Sequence, residues 1–324
     1  MSRIMKRRTL RWSLVAVGLV AVALLALTFS NFATGSNSAP TSSRLAAPNY
    51  GALFLETTTS VQDSGLMDNV IVPDFAARTG VTLTYIGVGS GKALADAAAG
   101  NCDAIIVHSP RDEQTYQRSG VISLRMPFAY NYFVIVGPKK DPAGIHKATT
   151  TSGAMRRIYA YGQAHPSKVV WVSRNDGSGT NSKEKALWKA AGITIDPASP
   201  PSWYAETGTG MAATLTYTNQ KAAYTLSDTA TWLKVKPTMD AIMQLFSNRR
   251  DLKNQYSIDL LNQAVNNNVN SALAEELAAW LTSSAGQKAI ANYKINGQQV
   301  FFPNSYAISV QWLPPLTPPT AAAH

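Results

Sequence analysis

The segment WVSRNDGSGTNSKE, residues 171–184, changes character twice within a few positions. The apolar run 169–172 predicts a short buried strand, and SRNDGSGT then predicts a loop because Gly, Ser, Asn and Asp favour turns. The residues that follow predict a helix that runs through Leu187 and Trp188 to Gly192. A strand that passes through a glycine-rich loop into a helix is typical of α/β proteins.

The rest of the chain repeats this alternation of apolar runs and helical patterns, and it shows no internal repeat. Helical spacing predicts a helix from Leu66 to Phe75, which Pro73 kinks or restarts and Gly80 caps, and an alanine-rich helix over 92–99. The further predicted strands are 52–55, 81–86, 103–107 and 132–136. This order of elements predicts an α/β fold with mainly parallel sheets.

Three predicted strands end in a loop of small and hydroxyl residues that precedes a helix: TTTS at 57–60, VGSGK at 88–92 and SRNDGSGT at 173–180. Helix N-termini present unpaired backbone N–H groups and a partial positive charge, hydroxyls add neutral donors, and glycine allows close approach of the backbone. Ligands of α/β sheets lie beyond the carboxyl ends of the strands, where these loops are expected. Together the loops predict a site that donates hydrogen bonds to an anion.

Each loop also has an ordinary structural interpretation. Ser60 followed by Asp63 fits a capping box, and VGSGK lacks the second half of a phosphate-loop signature. Arg174 carries a permanent charge that Asp176 can hold in place, but the same two residues could form only a surface ion pair. The prediction of an anion site therefore rests on the agreement of the three loops.

Composition and charge narrow the class of protein. The chain has 324 residues, 45% of them hydrophobic, which suffices for one or two globular domains with a substantial core. Its formal net charge of +10 includes five basic residues among the first eleven, and the remainder has 24 basic against 19 acidic residues, a net +5. This modest excess, without a basic run, argues against a nucleic-acid-binding protein.

The N-terminus has the features of an export signal. Basic residues precede the apolar run 12–29, which is long for a signal-peptide core and short for a membrane span. We interpret 1–30 as a signal peptide or an uncleaved membrane anchor, 31–49 as a flexible linker and 311–324 as a proline-rich tail. The expected location is extracytoplasmic, either periplasmic or tethered to the outer face of the cytoplasmic membrane. The single cysteine, Cys102, excludes an internal disulfide.

Six segments, in order, resemble the tungstate-binding proteins of bacterial ABC importers, and they cover roughly residues 50–303. They are ETTTSVQDSGLMDNVIVPDF, IGVGSGKALADAAAGNCDAIIVHSP, YNYFVIVGPKKDPAGI, WVSRNDGSGTNSKEKALWKAAGI, SWYAETGTGMAATL and AAYTLSD. SRNDGSGT is also similar to the phosphate-binding proteins of the wider superfamily. The resemblance implies a two-lobed periplasmic-binding-protein (Venus flytrap) fold with a hinge, an oxyanion ligand such as tungstate, no cofactor, and delivery to an ABC transporter permease.

The resemblance also implies lobes and site residues. Lobe one is expected from 50–135 plus 240–310, and lobe two from 136–239. The implied oxyanion-binding residues are Thr58, Thr59, Ser60, Gly89, Ser90, Gly91, Arg174, Ser178, Gly179 and Thr180, with a fourth loop at Gly208, Gly210 and Met211. Asp176 would position Arg174. The family commonly has His at the position of Asn181 and Arg at that of Thr229, and these two departures leave the identity of the anion open.

Protonation distinguishes among the candidate anions. Hydrogen phosphate carries a proton at neutral pH and favours a site with a carboxylate acceptor, whereas tungstate, molybdate and sulfate need donors only. The nearby carboxylates, Asp63 and Asp176, each have a structural explanation, as a cap partner and as a partner of Arg174. A donor-only site is therefore expected, with molybdate, sulfate and phosphate as alternatives to tungstate.

Other functions fit the sequence less well. Ser178 lacks the G-x-S-x-G spacing of a hydrolase nucleophile, and His108 is interpreted as a structural or rim residue rather than a general base. No His, Cys and Glu cluster has metal-ligand spacing, so neither an enzyme nor a metal site is predicted. A membrane-tethered anion sensor is an alternative to transport. Core or hinge packing, rather than a sugar-stacking platform, is predicted for Trp188, Trp203, Tyr204, Trp232 and Trp280.

Overall fold

The computed structural model describes residues 51–304. The chain divides into two units, Met1–Pro48 and Asn49–His324, and all described residues belong to the second. The interpretations of 1–30, 31–49 and 311–324 concern residues outside the described range. Within that range, no helix combines the length and apolar character that crossing a membrane requires.

Residues 51–304 form twelve strands and ten α-helices. The strands are β1 (Leu53–Thr58), β2 (Leu83–Val88), β3 (Ala104–Val107), β4 (Ile122–Pro138), β5 (Trp171–Ser173), β6 (Tyr204–Glu206), β7 (Thr225–Asp228), β8 (Ile242–Ser247), β9 (Lys253–Leu261), β10 (Lys294–Ile295), β11 (Gln298–Gln299) and β12 (Phe302–Pro303). The helices are α1 (Thr59–Ser64), α2 (Val72–Thr79), α3 (Ser90–Ala99), α4 (Pro110–Arg118), α5 (Thr151–Ala164), α6 (Gly179–Ala190), α7 (Met211–Lys221), α8 (Thr229–Val235), α9 (Ser271–Thr282) and α10 (Ser284–Asn292).

The helix predicted over 66–75 is interrupted, as the position of Pro73 indicates. A π-helical turn, Met67–Ile71, leads into α2, where Pro73 occupies an early helical position that needs no backbone N–H. Gly80 ends α2 in the left-handed conformation, with φ of 69°. The sequence therefore located the break and the end of this helix correctly.

The main sheet has the strand order β12-β4-β9-β3-β1-β2, and β7 and β8 also pair with β4. β1 is parallel to β2 and β3, and β5 is parallel to β6. β9, however, is antiparallel to β3 and β4, and β4 is antiparallel to β7 and β8. The prediction of mainly parallel sheets is wrong for these strands, so the sheet is mixed.

Strand β4 has 17 residues, whereas the sequence predicted only 132–136. Its first part pairs with β9 and its last part with β7 and β8. The pairing with β9 shifts register between Pro127 and Ala129, which is the kind of irregularity that tolerates a proline in a strand. Because Pro127 interrupts the strand, the apolar pattern does not predict the first part of β4.

The buried apolar side chains fall into two groups. One group lies beside the part of β4 that pairs with β9, and the other lies beside the part that pairs with β7 and β8. One group comes from residues 53–129 and 256–301 together with Ala230 of α8, and the other comes from 133–252. Because α8 gives Ala230 to the first group and Trp232 to the second, this helix lies between them. The predicted core packing of the aromatic residues is confirmed for Trp188, Trp203, Tyr204, Trp232 and Trp280.

Candidate functional site

Four loops begin helices at the place where the two groups of core residues meet. The first three follow β1, β2 and β5 and open α1, α3 and α6, so each lies at the carboxyl end of its strand as the sequence predicted. The fourth follows β6 and opens α7 at Gly210. This arrangement places four helix N-termini around one region.

The loops approach one another closely enough to exclude side chains. The backbone N–H of Gly91 donates to the carbonyl oxygen of Gly177 over 3.2 Å. A Cβ atom added at Gly91 would lie 2.8 Å from that oxygen, and one added at Gly89 would lie 3.2 Å from the carbonyl oxygen of Asp176. The loop after β2 therefore contacts the loop after β5 through backbone atoms, which requires glycine.

Arg174 links three of the loops although its side chain is only 2% exposed. Its Nη2 atom donates to Thr59 Oγ1 over 3.0 Å and to Asp176 Oδ2 over 2.5 Å, and its Nε atom donates to the carbonyl oxygen of Thr209 over 3.3 Å. The backbone of Arg174 is held by Gly208, whose N–H donates to the carbonyl oxygen of Arg174 over 2.8 Å. None of these bonds uses Nη1, which keeps two N–H groups for a further acceptor.

The first loop is capped differently from the sequence interpretation. Thr58, not Ser60, is the N-cap of α1, and its Oγ1 accepts from the N–H of Val61 over 3.4 Å. The capping box of Ser60 and Asp63 is therefore wrong, because α1 begins two residues earlier than that box requires. Ser60 Oγ lies 3.0 Å from Thr58 Oγ1, so the two hydroxyls form one hydrogen-bonded pair.

Two of the predicted binding hydroxyls are buried and lack partners. Among residues 51–304, Ser90 Oγ and Thr180 Oγ1 have no hydrogen-bond partner, and their residues are 0% and 1% exposed. Ser178, by contrast, uses its Oγ to cap α6 by accepting from the N–H of Asn181 over 3.2 Å. Because an unsatisfied buried hydroxyl is costly, Ser90 and Thr180 fit a site that binds an acceptor.

The Asp176 carboxylate bonds within its own loop. Its Oδ2 accepts from Arg174, and its Oδ1 accepts from the N–H of Ser178 over 3.2 Å. The expectation that Asp176 positions Arg174 agrees with this geometry. Each oxygen accepts one hydrogen bond from the loop.

Two other carboxylates lie near Arg174. Burial raises the pKa of Asp63, while the backbone of Ala212 at the start of α7 and the charge of Arg174 act in the opposite direction. Burial likewise raises the pKa of Asp228, whose Oδ1 accepts from the N–H of Thr231 over 2.9 Å as the cap of α8. Sequence analysis missed Asp228, although an Asp at the end of a predicted strand is a recognisable helix cap.

His108 lies inside the site region rather than on its rim. It is 3% exposed and follows β3, and a Cβ added at Gly179 would lie 2.7 Å from its ring. Its Nδ1 lies 2.8 Å from Asn254 Oδ1, and its Nε2 lies 3.4 Å from Ser60 Oγ. Since the Asn254 amide nitrogen faces Tyr256 Oη, its oxygen accepts from His108 Nδ1–H, which leaves Nε2 as an acceptor.

Burial lowers the pKa of His108 to about 4, and the nearby Arg174 charge also favours the neutral ring. The imidazole is therefore uncharged at neutral pH. The network continues through Asn254 Nδ2, which donates to Asn131 Oδ1 over 2.8 Å. Only the position of His108 after a predicted strand signalled this network in the sequence.

The remaining predicted residues occupy different environments. The side chain of Met211 is fully buried in the apolar cluster with Leu215 and Trp232, so only its backbone can face the loops. Thr229 Oγ1 accepts from the N–H of Tyr132 over 3.5 Å, near the point where β4 runs from one group of core residues to the other. Within the described range, no group of three or more His, Cys, Asp and Glu side chains could hold a metal ion.

Comparison with known proteins places this geometry in a family. A model of the PBP superfamily domain matches residues 38–285. The putative ABC transporter anion-binding protein of Haloferax volcanii is 38% identical over 264 residues, which are 80% of this chain and 74% of that protein. The tungstate-binding protein TupA of Peptoclostridium acidaminophilum is 33% identical over 261 residues, 79% of this chain and 86% of that protein.

Solved structures agree with these relatives. The tungstate-binding protein TupA from Desulfovibrio alaskensis G20 has a TM-score of 0.65 and 36% identity, and the match covers 78% of this chain and 99% of that one. The chain belongs to the PBP superfamily and to its family of ABC transporter anion-binding proteins. This confirms the predicted two-lobed α/β fold. Members of the family are extracytoplasmic solute-binding proteins and not enzymes.

Proposed function

We propose that the chain captures an oxyanion between two lobes and delivers it to the permease of an ABC transporter. The observation that carries this proposal is the convergence of four helix-opening loops in one place, three of them joined by Arg174, whose Nη1 has no hydrogen-bond partner among residues 51–304. The unpartnered hydroxyls of Ser90 and Thr180 supply further donors. The proposed lobes are 50–135 plus 240–310 for lobe one and 136–239 for lobe two, except that Ile242, Phe246 and Leu252 pack in the core of lobe two.

Tungstate is the anion that we propose as the ligand. Two relatives and one solved structure are named as tungstate-binding proteins, at 32–36% identity. The carboxylates near Arg174 support this choice, because Asp176 pairs with Arg174 and Asp63 interacts with the backbone of Ala212. A site whose loops offer mainly donors favours an anion without a proton, which distinguishes tungstate, molybdate and sulfate from hydrogen phosphate.

Capture follows from the placement of the donors in both lobes. The loops of α1 and α3 belong to lobe one, and those of α6 and α7 belong to lobe two. An anion that bonds to both sides has a higher affinity for the closed state and shifts the equilibrium toward it. The Arg174 to Thr59 bond and the Gly91 to Gly177 bond connect the lobes in this closed arrangement.

The partners and the location of the chain belong to the same proposal. The permease would recognise the closed form, and the N-terminal segment 1–30 would direct export and, if uncleaved, tether the chain to the membrane. Both expectations rest on the family and on the sequence of that segment.

A thermal-shift panel on the purified chain tests the function. Tungstate, molybdate, sulfate, phosphate and chloride are compared at equal ionic strength. A ligand at about a thousand times its Kd stabilises the folded state by ~4 kcal/mol, which raises Tm by several degrees. We expect a large shift with tungstate at low concentration and none with phosphate. A response to phosphate alone would contradict the donor-only site, and no response to any oxyanion would contradict the proposed function.

A further inference from the structure

A fully buried carboxylate lies directly behind the loop of Arg174. Glu184, on the second turn of α6, is 2% exposed, and no cation pairs with it within the described residues. Its Oε1 accepts from Trp171 Nε1 over 2.7 Å, from Tyr204 Oη over 2.5 Å and from Trp188 Nε1 over 3.3 Å. Its Oε2 accepts from Ser173 Oγ over 2.7 Å. We call these five residues the Glu184 cluster.

The burial of Glu184 and its hydrogen-bond partners act on its pKa in opposite directions. Both indole N–H groups are donors only, and the Ser173 hydroxyl already accepts from two N–H groups, so its own hydrogen is directed to Glu184. Burial is the largest effect on the pKa of Glu184 and raises it, and the four hydrogen bonds lower it in part.

The cluster reaches the candidate site through Ser173. Ser173 Oγ accepts from the backbone N–H of Asn175 over 3.2 Å and from Asn181 Nδ2 over 3.4 Å. Asn175 has a φ of 40°, in the left-handed region that a residue with a side chain seldom adopts. Asn adopts this region more readily than most residues, and the bond from Asn175 holds the turn that follows Arg174 in that conformation.

We propose that Glu184 is a positioning residue for oxyanion binding, acting through Ser173 to fix the conformation of the loop Arg174–Thr180. This inference rests on the proposed function of that loop. Glu184 itself lies on α6 and bonds only to the other four residues of the cluster. The cluster connects β5, β6 and α6, so that the position of Arg174 depends on a buried carboxyl group rather than on loop contacts alone.

The variant Glu184→Gln affects the bonds at Oε1 and the bond at Oε2 differently. Its amide oxygen can replace Oε1 and keep the bonds from Trp171, Trp188 and Tyr204. Its amide nitrogen then faces Ser173 Oγ as a donor, so Ser173 must release one of its other bonds and redirect its hydrogen. We expect a folded protein whose Kd for tungstate rises about 10-fold or more, the usual effect of losing an outer-shell partner.

Two further variants separate positioning from general stability. Ser173→Ala removes the link to the loop and leaves the other three donors on Glu184, so we expect a similar loss of affinity. Combined with Glu184→Gln it adds little, because both changes break the same connection. Trp188→Phe removes one donor from Oε1 and no bond to Ser173, so it lowers stability and changes Kd less than about 2-fold.

The decisive experiment measures tungstate Kd by titration calorimetry, urea stability, and hydrogen exchange of residues 174–180 for the full chain and these three variants. Weaker binding and faster loop exchange in Glu184→Gln and Ser173→Ala, but not in Trp188→Phe, would support the proposal. Unchanged Kd in both, or equal losses in all three, would overturn it. If the unmodified chain binds no oxyanion, the proposed function fails, and loop exchange alone decides whether Glu184 positions the loop.

Discussion

The two sides of the candidate site differ in charge. On the side of α1 and α3 the structure places hydroxyls, backbone N–H groups and the neutral ring of His108, whereas the side of α6 carries Arg174 and its partner Asp176. Charge-assisted donors bind anions more strongly than neutral ones. The difference indicates that lobe two supplies most of the attraction for the ligand, and that lobe one supplies the shape and the neutral donors that complete closure.

Removing the charge on lobe two has the largest expected effect. Arg174→Ala should raise the Kd for tungstate roughly 30-fold or more, which corresponds to ~2 to 5 kcal/mol for a desolvated charge-assisted donor. Arg156→Ala removes an exposed arginine from α5 and serves as the control for net charge. Titration calorimetry of both variants checks the prediction. A folded Arg174→Ala variant with unchanged Kd would contradict the claim that lobe two supplies most of the attraction for the ligand.

The neutrality of His108 predicts a pH dependence of stability. Its pKa falls from the model-peptide value of 6.5 to about 4 on folding, so the unfolded chain binds more protons between these values. The free energy of unfolding should therefore decrease as pH falls from 6.5 to 4, by about 3 kcal/mol from this residue. Urea unfolding across that range should show a shallower slope in His108→Gln. Identical slopes would mean that His108 is not held neutral.

The close approach of the two lobes at Gly91 is also testable. Gly91→Ala places a Cβ atom 2.8 Å from the carbonyl oxygen of Gly177 across the lobes, so closure requires a shift of backbone. We expect a cost of ~1 to 3 kcal/mol, seen as a Kd for tungstate raised on the order of 10-fold. In Gly120→Ala, after α4 and outside the four loops, the new Cβ meets no atom within 4 Å, so this control should bind nearly normally although its left-handed backbone lowers stability. Equal Kd values for the two variants would count against this closed arrangement.

The unpartnered hydroxyls give the smallest expected effects, and these should be similar on both sides. Ser90→Ala on lobe one and Thr180→Val on lobe two each remove one neutral donor, which should weaken tungstate binding by ~1 kcal/mol. Each should leave the stability of the ligand-free chain equal or higher, because a buried unsatisfied hydroxyl is lost. Calorimetry and urea unfolding measure the two quantities. Lower stability with unchanged affinity would show that these hydroxyls are structural.

Local patterns in the sequence located the loops of the site but not the pairings of the sheet. Gly89 and Ser178 lie in loops that the sequence predicts before helices, because strands and turns are encoded within a few residues, and both are N-caps. The antiparallel pairing of β4 with β9 involves residues far apart in the chain, and Pro127 masked the first part of β4. Contacts between distant segments leave no periodic signal in one sequence.

The same limit applies inside the site. Arg174 and Asp176 are two positions apart, and their ion pair was predicted from that spacing. His108 and Asn254 are separated by 146 positions, and the Glu184 cluster combines β5, β6 and α6, so neither network could be found by spacing. Glu184 also stood inside a predicted helix, where a glutamate is ordinarily exposed. Its burial is a property of the packed structure.

Titration calorimetry of tungstate against the unmodified chain and Arg174→Ala, each with phosphate as the comparison anion, tests the central claim most directly. The account predicts one tungstate bound per chain, little or no heat with phosphate, and a loss of affinity of about 30-fold or more in Arg174→Ala. An absence of tungstate binding, or equal affinity in the two proteins, would contradict the claim that Arg174 of lobe two is the main donor of an oxyanion site.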